Sequence, residues 1–207
     1  MKKISIILSI AFISSLSLKA QNNDLSLNVL NFIFSKYELG FEHGFGDKQG
    51  AGININFANK NMFEAGGKSY SEFNLIPTYK YYLTPEKGND GFYLGAYARY
   101  RSSNSKDNEF TAINKTTLVT TVEKTDVSSS AIGLGALTGY KWVASNNFFI
   151  EGEFGVGKIL SNSITVSNTN AENNNTNADW NKNDYLPVYG NKIGVDMRFA
   201  FKIGLRF

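Results

Sequence analysis

The sequence predicts an all-β protein: an eight-stranded antiparallel transmembrane β-barrel (residues 21–207) preceded by a cleaved signal peptide (residues 1–20). Three observations carry that expectation. The chain opens with a short charged-then-apolar leader; apolar residues then recur at every second position; and the runs that do so are joined by connections alternating strictly between short and long.

The leader is MKKISIILSIAFISSLSLKA. Lys2 and Lys3 precede an apolar run from Ile4 to Leu18, and Lys19-Ala20 closes it, the layout of a secretory signal peptide. The run is short for a spanning helix, which takes about 20 apolar residues. The leader also explains the charge. The whole chain has 21 Lys and Arg against 18 Asp and Glu; residues 1–20 hold three lysines and no acid, so 21 − 3 = 18 and the remainder is formally neutral. Nucleic acid is therefore excluded as an expected partner. Cysteine is absent, so an exported chain has neither disulfides nor a Cys for lipid attachment. The 19 glycines, 3 prolines and abundant aromatics fit strands and turns better than helices.

Strand-like runs fall at 25–34, 36–45, 49–58, 72–83, 91–102, 130–143, 147–159 and 191–207. Tyr37, Leu39, Phe41 and Phe45 oppose Lys36, Glu38, Gly40, Glu42 and Gly44. Phe92, Leu94, Ala96, Ala98 and Tyr100 oppose Tyr93, Gly95, Tyr97, Arg99 and Arg101. The last run, KIGVDMRFAFKIGLRF, is the most regular, with an apolar residue at each alternate position from Ile193 to Phe207. Two runs carry a flaw. LSLNVLNFIF (25–34) changes apolar phase between Val29 and Leu30, which predicts a bulge or an earlier end. Pro77, within FNLIPTYKYYL, has no N–H for a ladder and predicts a local break or bulge.

The connections GDKQ (46–49), TPEKGND (84–90) and ASN (144–146) are turn-like, whereas 59–71, 103–129 and 160–190 are long. Short turns on the periplasmic side and long loops outside are how bacterial outer-membrane barrels are built, and an even strand number returns both ends to the periplasm. The expected location is thus the outer membrane of a Gram-negative bacterium, with 59–71, 103–129 and 160–190 extracellular. Within the second of these, the Thr- and Val-rich stretch 109–127 is suited to extend the barrel as a hairpin.

The chemistry of the faces separates a membrane barrel from a soluble lipocalin-like one. One face collects Glu38, Glu42, Glu72, Lys80, Arg99, Arg101, Lys141, Glu151, Glu153, Asp196, Arg198 and Lys202. These charges do not suit an apolar ligand cup, but suit a narrow lumen in which acids and bases neutralise one another. Glycines on that face leave room for long side chains. The other face is apolar, with Tyr79, Tyr81, Tyr100, Tyr140, Trp142, Phe148 and Phe207 placed as aromatic girdles.

At this point a resemblance is specific. Phe199, Phe201, Ile203, Leu205 and Phe207, at alternate positions, look like the C-terminal signal read by the barrel assembly machinery, which the resemblance implies as a partner during biogenesis. SLNVLNFIFSKYELGFEHGF, IPTYKYYL and GFYLGAYARY resemble a family of uncharacterised outer-membrane β-barrel proteins of Bacteroidota, small barrels of the OmpA/OmpX kind. The resemblance implies a fold and a location, with membrane lipid as the surroundings, and no agreed activity.

Other motifs have plainer readings. Gly152-Glu-Phe-Gly-Val-Gly157-Lys158 has phosphate-loop spacing, but Ile159 stands where Ser or Thr belongs and no helix pattern follows. Gly133-Leu-Gly135-Ala-Leu-Thr-Gly139 alternates as a strand. Asp179, Asn181 and Asn183 start like a calcium loop, but Asp184 and Gly190 stand where Gly and Glu should be, leaving a solvated Asn-rich loop as the default and a calcium site of another kind open. His43, the single histidine, falls at the periplasmic end of its run, away from the outer rim where barrel enzymes act. No catalytic residue, cofactor or metal ligand is expected, and the chain does not read as an enzyme. Two functions stay in contention: a structural or surface-interaction barrel contacting an unknown ligand through its external loops, or a narrow channel for ions or small solutes.

Overall fold

The computed structural model describes residues 23–59, 69–113, 120–144, 147–168 and 194–207. The predicted leader lies outside the described residues, as do residues 60–68, 114–119, 145–146 and 169–193. Eight strands run β1 (Asn23–Asn28), β2 (Lys36–Phe45), β3 (Gln49–Ala58), β4 (Ser69–Tyr82), β5 (Gly91–Ile113), β6 (Thr120–Val143), β7 (Phe148–Val166) and β8 (Val195–Arg206), with a one-turn helix α1 (Leu30–Ile33) after β1. Each strand pairs antiparallel with its neighbour in sequence, and β1 also pairs with β8, so the sheet closes into a barrel. Leu25 sits opposite Phe41 on one side and Leu205 on the other. Asn23 and Phe207 exchange two backbone hydrogen bonds, of 3.2 and 2.9 Å, at the end of the closing seam. Closure removes the unpaired edges that an open sheet would present.

The expected alternation holds through the barrel wall. The even-numbered residues of β2, β3, β4 and β8, and the odd-numbered residues of β5 up to Ser105 and of β6 from Thr125 onward, point inward, while their neighbours point out. The outer face exposes Leu39, Phe57, Tyr81, Leu94, Leu134, Trp142, Val156 and Phe199 among others. Inside, Ile76, Tyr82, Tyr93, Tyr97 and Leu137 form a small apolar cluster between polar layers.

The structure adjusts the expected boundaries and resolves the expected irregularities at four places. The first run ends as a strand at Asn28 instead of 34. Past the phase change, an extended chain would turn apolar side chains into a polar interior. The chain instead coils into α1, packs Phe32 against Tyr37 (ring centroids 5.7 Å apart) and reverses at Ser35, whose φ is +54°. Of the local break or bulge expected at Pro77 the structure has the break: β4 is continuous and Pro77 pairs with Ile53 of β3, but the ladder opens on its other side. On the β5 side the ladder steps from Leu75–Tyr100 to Thr78–Tyr97 with its register intact, so the missing donor costs a local opening alone. The segment 103–129 is largely strand: β5 and β6 continue upward as a hairpin with a bulge between Ser105 and Asn108, where Asp107 has φ +54°. β7 likewise runs on to Val166, past a second irregularity opposite Ile132/Gly133 that leaves Leu160 unmatched.

The tight turns need specific residues. Gly46, Gly88, Gly91 and Asn147 all have positive φ. In the β4–β5 turn the Asp90 side chain accepts from the N–H groups of Glu86 (2.7 Å) and Lys87 (2.9 Å).

Candidate functional site

The barrel interior is the candidate site. The twelve charged residues singled out in the sequence all face it, and ion pairs bring them together. From one end, the Asp24 carboxylate accepts twice from Arg206, at 2.7 and 2.8 Å, and once from Lys141 at 2.8 Å. Lys141 also donates to Glu42 (2.7 Å), as do Tyr82 (2.7 Å) and Lys80 (2.6 Å). Lys80 continues to Glu151 (2.5 Å) and lies 3.6 Å from Glu153. Glu153 then accepts from Lys202 (3.1 Å) and from the Arg198 Nε, and Arg198 donates to both Glu38 oxygens, at 3.1 and 2.6 Å. One connected chain of charges thus runs from Arg206 to Glu38.

Above it stand two further groups, the first linked to Glu38 through the amides of Asn74 and Asn56. Glu72 accepts from Lys36 (2.9 Å), Arg101 (2.7 Å), Tyr70 (2.5 Å) and Asn74 (2.7 Å). Arg99 donates to Asp196 at 2.5 Å. Eight cations meet seven carboxylates in these groups, so the interior is close to self-neutral. Aromatic faces supply further screening: Lys80 sits 4.7 Å from the Tyr93 ring centre, and Lys141 lies 5.2 Å from that of Tyr82.

Three members were absent from the sequence-derived set. Asp24 fell one residue before the assigned first strand, although it shares parity with Ser26. Lys36 and Arg206 belong to the same alternating polar sets as the residues that were singled out. The hydroxyls of Tyr82 and Tyr93 and the amides of Asn56 and Asn74 also join as partners, and strand parity alone turns them inward; Tyr70 lies in the expected connection 59–71, which β4 enters from Ser69. Asn31 is different in kind. It reaches Glu38 at 3.0 Å from α1, an element the periodicity did not announce.

Packing is tight enough that glycines are required where aromatic rings cross the interior. A Cβ on Gly139 would meet the Gly152 carbonyl oxygen at 2.2 Å and the Tyr93 hydroxyl at 2.4 Å. Gly139→Ala is accordingly expected to lower stability by about 1–3 kcal/mol, the usual cost of overpacking, measured as a lower urea midpoint with an unchanged slope. At the lower end the β4–β5 turn is drawn under the opening. Arg206 donates to the carbonyls of Lys87 (2.5 Å) and Asn89 (2.9 Å), and Lys87 donates to the carbonyl of Val143 (3.1 Å). The void beside this layer, lined by Glu42, Lys80, Lys141, Glu151 and Lys202 among others, measures about 10 Å³, room for about one water molecule.

The remaining sequence motifs dissolve into the wall. Residues 152–158 lie within β7 and residues 133–139 within β6. Asp179, Asn181 and Asn183 lie outside the described residues. His43 is exposed on the outer face, with its Nδ1 2.8 Å from the Asn23 Oδ1 at the end where Asn23 pairs with Phe207. Phe199, Phe201 and Leu205 are exposed on the outer face of β8, with Ile203 and Phe207 in partial contact.

A closed eight-stranded antiparallel barrel, packed inside with mutually paired charges and apolar outside, is the class of protein that this geometry defines. The chain belongs to the family described as "Protein of unknown function (DUF3575)", whose pattern matches residues 6–201. No curated protein sequence matches it. Among solved structures, the crystal structure of Acinetobacter baumannii CarO2 is similar, with 11% sequence identity and a TM-score of 0.44 over 91% of this chain and 97% of that one.

Proposed function

We propose that the protein is a small integral barrel of the outer membrane of a Gram-negative bacterium, occluded along its axis, without enzymatic activity, that serves as a structural scaffold holding surface segments outside the cell. The observation that carries this reading is the contrast between faces: a connected network of paired, buried charges fills the inside, while the outside is a belt of bare apolar and aromatic side chains. In water such a belt is a liability. In hydrocarbon it is the required surface, and a closed barrel is the way for strands to pair every backbone group there. The belt has the right height. On β6 it runs from Ile132 to Trp142, which at about 3.3 Å per residue and a tilt of about 40° spans about 25 Å. Beyond it the outer residues become Ser130, Ser128, Asp126 and Lys124, so the β5–β6 hairpin stands in water.

The alternation of connections supports the orientation, with the turns at 46–48 and 83–90 towards the periplasm and the extended ends of β5 and β6 towards the outside. The Phe199–Phe207 face of β8 acts as the signal to the assembly machinery, and the Bacteroidota resemblance of the strands supports the host membrane. Charges whose partners are other fixed charges, and a His43 that faces outward at the opposite end from the hairpin, support the non-enzymatic reading.

A second reading, a narrow ion path, is favoured by Arg99 and Arg101, whose side chains stay 19% and 13% exposed above the sealed layer. Refolding into detergent followed by planar-bilayer recording distinguishes the two. The scaffold reading expects a compact band on unboiled gels that shifts on boiling, and no steady conductance. Stable single-channel steps that change when Glu153 is replaced by Gln would make the channel reading the right one.

A further inference from the structure

β3 ends at Ala58 while β4 and β5 continue, and on that step the outer rim carries a cavity of about 360 Å³. The volume lies within the range of small-molecule sites, about 300–1,000 Å³. Its lower wall is aromatic: Tyr37, Phe57 and Phe73 stand in direct cross-strand register on the outer face, with the Phe57 and Phe73 rings 5.4 Å apart. Its upper wall is neutral and polar. Ser102 is opposite Phe73, Asn104 is opposite Ser71, and all four line the cavity.

Two features say what fits there. The Asn104 Oδ1 is buried and has no hydrogen-bond partner among the described residues, a state that favours an external donor. Glu72, the one charged group among the described lining residues, already accepts from Lys36, Arg101, Tyr70 and Asn74. A phosphate, carboxylate or ammonium group would therefore enter without a counter-charge. A hydroxyl group would find hydroxyl and amide partners.

We propose that this cavity binds the uncharged, polyhydroxylated headgroup of an amphiphile in the outer leaflet, a glycolipid in chemical class, with its chain lying on the Tyr37–Phe57–Phe73 row. The proposal rests on the membrane reading above. The site sits where the apolar belt gives way to the hydroxyl- and amide-bearing hairpin, which is the height of a lipid headgroup.

The test uses isotope-labelled protein folded in dodecylphosphocholine micelles and titrated with octyl glucoside, following backbone amides by NMR. Saturable shifts centred on Ser71, Ser102 and Asn104 are expected, with free glucose at the same concentration producing none. Asn104→Leu should weaken binding about tenfold, the effect of losing one buried hydrogen bond. Where that variant does not fold, Ser102→Ala serves, with a smaller loss expected. Shifts spread evenly around the belt, an unchanged affinity in the folded variant, or equal binding of free glucose would each overturn the proposal. A sample that gives no compact unboiled band beforehand speaks instead against the membrane reading.

Discussion

Replacing Glu42 with alanine is expected to destabilise the barrel by about 3–5 kcal/mol, the cost of breaking a buried ion pair by removing one partner. Glu42 accepts from Lys141, Lys80 and Tyr82 at 2.7, 2.6 and 2.7 Å, and both lysine side chains are at most 2% exposed. Asp24 still holds Lys141 and Glu151 still holds Lys80, but an interior that already has one cation in excess gains another. Adding Lys141→Met to Glu42→Ala should recover a large part of the loss, because an apolar side chain of similar length removes the unmatched charge and packs beside Phe149, whose ring centre lies 5.3 Å from the lysine nitrogen. Urea unfolding in lipid vesicles measures both. A loss below about 1 kcal/mol for the single variant would mean that the charges are solvated in place, as exposed pairs are. The interior would then be wet, and the channel reading would gain at the expense of the scaffold.

The partnership of Glu42 and Lys80 also shows where sequence reasoning stops. They lie on β2 and β4, which do not pair; β3 runs between them. The bond forms because β3 turns Gly50 and Gly52 inward at that level, opposite Lys80 and Glu42 respectively, so two long side chains meet over a bare backbone. Periodicity says that Glu42, Gly50 and Lys80 point inward. Which acid meets which base depends on the strand registers, and no local pattern encodes those. The same holds for Arg198, which bridges Glu38 and Glu153 from β8, and for Lys141, which reaches from β6 across the interior to Asp24 and Glu42, neighbours on β1 and β2.

Legibility follows surroundings. Wherever one face is apolar and the other polar, from Lys36 to Phe45 or from Gly91 to Tyr100, the alternation marks the strand and its inward residues. It fades where both faces of a strand carry Ser, Thr and Asn. Residues 102–113, 120–130 and 160–166 are strand, yet their outward positions include Ser102, Asn104, Ser128 and Ser161, so they read as loop. Their Thr- and Val-rich composition was the one hint, and it sufficed for the hairpin at 109–127 but not for the extension of β7. α1 was hidden for another reason. Four residues cannot show a helical period, and the phase change at Val29 and Leu30 signals an irregularity without saying which one.

The membrane reading is tested by placing one charge at two heights on the same outer face. Val156 is 48% exposed near the middle of the belt, between Ala136 of β6 and Met197 of β8. Val156→Arg is expected to cost about 2–4 kcal/mol in vesicles, the penalty for a cation at the midplane of a barrel's lipid face. Ser128→Arg places the same guanidinium on the exposed outer face of β6 above Ile132, where the cost should be about 0–1 kcal/mol. Neither position touches the interior network, so a difference between them reports the surroundings and not the packing of the barrel. The size of that difference orders the alternatives. A large one means hydrocarbon around Val156 and headgroups or water around Ser128. Equal, small effects would mean that both positions face water and that no hydrocarbon surrounds Val156. Two surface arginines thereby decide between a barrel set in hydrocarbon and one surrounded by water.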